Sequence, residues 1–195
     1  DGALYSACPA GSAPAGGFTD TTSTDVDCIK MHGITTGVTA TTYEPSSNIP
    51  RWQMALYLTR AATSMGLTLG SGADQGFTDI SGYSAAIQTA INQIKQLGVT
   101  TGTTATTYSP ADNVTQEQMA MFLNRFATIA KDHAGAAITA VAAVTGNYNY
   151  TDITTATWEG MESIIRLYNL GVTDGACTSG VNTVTAGTCL TTYRP

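Results

Sequence analysis

Charge is scarce in this sequence. Lys and Arg number 8, Asp and Glu number 14, and charged residues make up 11% of 195 positions, with a net charge of −6. An average soluble domain carries roughly 25%. So few cations exclude the clustered basic face that nucleic acid requires. They equally exclude electrostatic attraction to anionic lipid. No apolar run approaches the roughly 20 residues that span a bilayer, so no membrane insertion is expected. Histidine is limited to His32 and His133, and no C-x-x-C occurs, so neither a metal site nor a cofactor is expected. The chain lacks a G-x-S-x-G nucleophile turn and a G-x-x-x-x-G-K-[ST] phosphate loop. Its acidic residues recur singly rather than as a hydrolytic pair. The protein is therefore read as a non-enzyme, with a polysaccharide-acting hydrolase as the remote alternative.

Thr, Ser, Gly, Asn and Gln take the place of charge. Apolar residues still make up 43%, which supports one domain or a few small units sharing a core. A polar, weakly charged surface suits carbohydrate contact, glycosylation or packing against other copies of itself. The four cysteines, Cys8, Cys28, Cys177 and Cys189, fall in two separated pairs. Local pairing, Cys8–Cys28 and Cys177–Cys189, is the simplest of the three connectivities. Each bridge would contribute about 3 kcal/mol by closing a short loop. Disulfides imply an oxidising compartment. The chain opens on a small polar residue, Asp1, as expected of a mature product after export cleavage or of a trimmed fragment.

Three segments share an ordered set of landmarks. Each opens on aromatic-Thr-Asp: Phe18-Thr19-Asp20, Phe77-Thr78-Asp79 and Tyr150-Thr151-Asp152. Each proceeds to Gly-(Ile/Val)-Thr-x-Gly, at Gly33 to Gly37, Gly98 to Gly102 and Gly171 to Gly175. Each then reaches Thr-Thr-Tyr-x-Pro, ending at Pro45, Pro110 and Pro195. These landmarks divide the chain into an N-terminal segment 1–17 tied by a disulfide and repeats at 18–65, 77–130 and 150–195. The third repeat has extra residues around Cys177 and Cys189, read as a surface loop closed by its own disulfide.

Helical periodicity fills the intervals. Ile87, Ala90, Ile91, Ile94 and Leu97 predict a helix capped by Gly98. Trp158, Met161, Ile164, Ile165 and Tyr168 predict its counterpart before Gly171, with Trp158 in the core. The first repeat is shorter here and predicts only one or two turns, with Cys28 inside. The Thr-Thr-Tyr-x-Pro stretch predicts a short extended arm. A second helix follows in the first two repeats, with Pro50 in its first turn and Thr115 with Gln118 forming a capping box. Its apolar stripes are Met54, Tyr57, Leu58, Ala61, Ala62 and Met65, and Met119, Phe122, Leu123, Phe126, Ala127 and Ala130. Residues 138–144 read as an extended connector. The recurring Asp20, Asp79 and Asp152 read as caps of the following turn or helix. Arg60 and Arg125 share one repeat position and read as partners of a helix C-terminus.

The order helix, G-I/V-T-x-G, aromatic-x-Pro arm, and Asn48-Ile49-Pro50-Arg51-Trp52-Gln53-Met54-Ala55 resembles the S-layer homology repeat. The wording Gly-Val-Thr-Thr-Gly and Thr-Thr-Tyr-Ser-Pro-Ala-Asp-Asn-Val-Thr looks most like actinobacterial members. The resemblance implies a mainly α fold: a pseudo-threefold helical bundle of three helix–arm–helix repeats with short extended arms. It implies a secreted protein at the bacterial cell surface, bound non-covalently to a wall polysaccharide that is often pyruvylated. In the family an Arg of this motif meets the anionic sugar through a bidentate contact. Arg51 matches that position, and Gln116 replaces it in the second repeat. Trp52, beside Arg51, reads either as a platform for a sugar face or as filler between repeats. Arg51, Trp52 and Gln116 are thus the candidate polysaccharide-binding residues.

The third repeat stops at Pro195, before its second helix. A fragment, a second subunit and residues 1–17 of the same chain are competing explanations for what covers its first helix. Two functions follow. One is a structural subunit that associates with the envelope or self-assembles into a surface layer or extracellular filament. The other is a monomeric anchor module for a wall polysaccharide.

Overall fold

The computed structural model describes residues 8, 12–130, 150, 153–170, 172–173, 176–177 and 191–192. It is mainly helical: α1 (Thr24–Met31), α2 (Arg51–Ser64), α3 (Ala85–Gln96), α4 (Gln116–Ile129) and α5 (Trp158–Asn169). A 3₁₀ turn, Ile153–Thr155, precedes α5, and two short antiparallel strands, β1 (Ala176–Cys177) and β2 (Thr191–Thr192), pair near the end. The chain divides into two compact units, Asp1–Gln96 with Gly102–Asn113, and Leu97–Thr101 with Val114–Pro195. In the first unit α2 packs on α3; in the second α4 packs on α5. Each of these contacts joins two helices that are consecutive in the chain.

The helices form where their spacing predicts. In α2 the buried apolar residues are Met54, Ala55, Leu58 and Ala62, while the stripe's last member, Met65, is exposed beyond the helix end. Helix α3 buries Ala90, Ile91 and Ile94. In α4, Ala120, Phe122 and Phe126 are buried. Ala120 joins Tyr150, Ile153, Ile164, Ile165 and Leu167 in the core of the second unit. Helix α1 has 8 residues, about two turns, and Cys28 within it is bonded to Cys8.

Trp158 departs from expectation. It is 78% exposed, outside the core. Trp158 is the first residue of α5, and a helix side chain leans toward the N-terminus, so its ring has no preceding turn of α5 to lie on. The cap behind it is shared between helices. Thr157 Oγ1 accepts from Gly160 N–H at 3.0 Å, while Glu117 of α4 accepts from Thr157 N–H at 2.8 Å and Thr157 O–H at 2.5 Å.

The first two arms pair in no strand. Each follows a bend, with Thr42 O accepting from Val38 N–H and Thr107 O accepting from Thr103 N–H, both at 2.8 Å. Only the third repeat presents this motif as a strand, Thr191–Thr192. Asp20 and Asp79 do not cap helices. The Asp20 carboxylate accepts from Tyr43 N–H at 3.0 Å and Glu44 N–H at 2.7 Å. Asp79 accepts from Tyr108 N–H and Ser109 N–H at the same distances. Each aspartate latches the start of its repeat to that repeat's arm. Glu44 and Ser109, whose N–H groups complete these latches, sit at φ 59° and 54°. A charge-assisted bond offsets the cost of that left-handed backbone. Asp152, His133, residues 138–144 and Cys189, and with it the expected Cys177–Cys189 bridge, lie outside the described residues.

The N–H groups of Tyr43 and Glu44 hold the Asp20 carboxyl below its ordinary value of 3.8. A depressed folded-state value contributes stability above the unfolded value and loses it as pH falls through the folded one. The urea midpoint of the protein should therefore exceed that of Asp20→Ala at neutral pH. The gap should close below about pH 4.

Candidate functional site

The start of α2 is docked on the second arm. Pro50 precedes the helix and offers no side-chain cap. Instead Asp112 O accepts from Arg51 N–H at 2.9 Å, and Pro110 O accepts from Trp52 N–H at 3.0 Å. These carbonyls satisfy helix donors that would otherwise lack partners. An isolated bridge, Pro50 with Asn113, extends the contact.

Arg51 is 3% exposed. Its Nε donates to Tyr108 O at 2.8 Å, its guanidinium lies 4.7 Å from the Tyr108 ring centre, and Tyr108 O–H donates back to Arg51 O at 2.8 Å. Burial pushes the Tyr108 phenol well above its ordinary value, against a smaller opposite pull from Arg51. The phenol therefore stays protonated and remains a donor. Its ring packs at 5.6 Å from Phe77, as Tyr43 packs at 5.7 Å from Phe18.

Next to this clamp lies a groove of about 430 Å³ lined by Thr35, Trp52, Gln53, Tyr57 and Arg60, among others. Trp52 and Tyr57 are half-buried, which leaves part of each ring available. Thr35 Oγ1 lies 3.3 Å from Tyr57 Oη and accepts from Gly37 N–H at 3.1 Å. The glycine loop of the first repeat is thereby tied to the α2 wall of the groove. Aromatic faces beside hydroxyl, amide and guanidinium donors are the chemistry that grips a polyhydroxylated ring.

The three sequence candidates differ in setting. Trp52 lines the groove; Arg51 is turned into the contact with Tyr108. Gln116 opens α4, exposed, in the other unit. Sequence reasoning did not connect Tyr57 or Arg60 with the groove. Their one signal was position: both lie one to three turns along α2 from Trp52. Arg60 Nη1 donates to Ile34 O, and Arg125 Nη1 to Val99 O, each at 3.4 Å. Both arginines reach the loop after the first helix of their repeat, not the end of their own helix. His32 comes within 4.8 Å of the sulfurs of Cys8 and Cys28, but those are spent in the disulfide.

Residues 76–120 match the S-layer homology domain family. This stretch is similar to the S-layer homology domain. It runs through α3, the glycine loop and the second arm into α4. No curated protein matches the chain. An S-layer homology domain points to a cell-surface protein with a role in anchoring to the cell wall. Such domains are non-catalytic modules that bind secondary cell-wall polysaccharides.

Proposed function

We propose that the chain is a non-catalytic structural protein of the bacterial cell surface, built of three S-layer-homology repeats of the actinobacterial type. It holds a wall polysaccharide in the groove beside Trp52. The observation that carries this reading is the groove itself, where an indole and a phenol flank hydrogen-bonding side chains. Trp52 is the sugar platform. Arg51 supports it from behind, by holding the start of α2 on the arm.

Purified wall polysaccharide should pull down the chain, and Trp52→Ala should weaken binding by about threefold to tenfold with an unchanged circular dichroism spectrum. Unaltered binding would remove Trp52 from the site. Self-assembly into a surface layer or filament is the second reading, favoured by the 78% exposure of Trp158. Electron microscopy of the purified chain distinguishes a polymer from a monomeric anchor.

A further inference from the structure

Arg60 and Arg125 occupy the same repeat position and make the same bond to the loop before their own helix, yet their charges are treated differently. Among the described residues the ion pairs are Arg125–Glu159, at 2.6 Å, and Arg166–Glu162, at 2.5 Å. Glu159 is the second residue of α5. The second residue of α3 is Ala86, which lines a cavity of about 440 Å³ together with Arg60, Thr59, Thr63, Ala90 and Gln93. At the register of Glu117, the other carboxylate near the start of α5, α2 carries Trp52.

Other side-chain donors around this cavity have partners within the chain, and Ser64 Oγ lies 3.5 Å from His32 Nδ1. Thr59 donates to Ala55 O, Thr63 to Thr59 O and Gln93 to Gly70 O. Arg60 has five N–H donors. Among the described residues it uses one of them, at 3.4 Å. The cavity therefore holds a guanidinium with spare donors and a small residue where the related helix pair has a carboxylate.

We infer that the α2–α3 cavity is a carboxylate subsite with Arg60 as its receptor, and that the corresponding place in the α4–α5 pair is already filled by the chain's own Glu159. Resting on the wall-polysaccharide reading, the ligand group is the carboxylate of an acidic sugar. The cavity and the Trp52 groove share Leu56 and Arg60, so a saccharide seated in one presents substituents to the other. The chain then offers one carboxylate subsite rather than one per helix pair.

Nuclear magnetic resonance titration of the full chain with D-glucuronate and with its neutral methyl ester tests this. The acid should bind about tenfold to a hundredfold more tightly than the ester, with shifts centred on Arg60. Ala86→Glu, on an exposed position, should erase that preference by supplying the missing carboxylate. Glu159→Ala should add a second equivalent of acid-selective binding at Arg125. Equal affinities for acid and ester, an undiminished preference in Ala86→Glu, or no second equivalent in Glu159→Ala would each overturn the inference. Pull-down with wall polysaccharide separates the two readings. Wall binding without acid preference defeats the subsite alone. Acid preference at Arg60 without wall binding defeats the proposed function and leaves the subsite standing.

Discussion

Gly102→Ala should cost about 3–5 kcal/mol, while Gly98→Ala, in the same loop motif, should cost only about 1–2. Both glycines adopt positive φ, 91° and 75°. Their surroundings differ. A Cβ on Gly102 would sit 2.5 Å from the carbonyl oxygens of Thr104 and Thr107 and 2.7 Å from the Phe77 ring, whereas a Cβ on Gly98 would meet nothing within 4 Å. Carbonyls of a closed turn cannot move aside cheaply, since Thr107 O already accepts from Thr103 N–H. The first glycine of the motif ends a helix; the second lets the turn fold against the aromatic that opens the repeat. Gly37 is placed like Gly102, at φ 81° against the Phe18 ring edge and two backbone carbonyls. Chemical denaturation of both alanine variants checks the ranking, and equal costs would contradict this account.

Tyr108→Ala should also cost about 3–5 kcal/mol, by emptying the space of a fully buried ring. Tyr108→Phe should cost about 1–2, by deleting the single bond from Oη to Arg51 O. Arg51→Ala should cost about 2–4, since Tyr108 O loses its charge-assisted donor and the ring loses its cation. Effects of Arg51→Ala and Tyr108→Ala should fall well short of additive, because each removes the other's partner. The consequence for binding is direct. If Arg51 acts by seating α2, its alanine variant loses polysaccharide binding only in step with its loss of stability. Trp52→Ala loses binding while folded. Thermal melts run beside pull-downs resolve the two patterns, and a fully stable Arg51→Ala that fails to bind would restore Arg51 as a direct sugar contact.

Much of the architecture was legible along the chain because its determinants are local. The 3.6-residue spacing of Ala90, Ile91 and Ile94, the Thr115 cap and the glycine that ends α3 all act within a few turns of backbone. The short first helix and its bond to Cys8 were equally readable, since few partners were available to Cys28. Trp158 was misplaced because periodicity alone does not distinguish a helix interior from its first residue, whose side chain has no preceding turn to pack on.

Long-range pairings were a different matter. That Asp20 and Asp79 latch arms more than 20 residues away, rather than cap the next helix, depends on how the chain returns on itself. Arg51 has the residue type and neighbours of a ligand contact, yet it is buried and bonded to Tyr108, 57 residues away in the chain. The state of Arg60 and Arg125, identical in their own helices, is decided on another helix, by Ala86 in one case and Glu159 in the other. A linear reading yields elements and candidate charges, because those depend on neighbours in the chain. Which charges are buried, paired or left open depends on neighbours in space, and these come from packing α2 against α3 and α4 against α5.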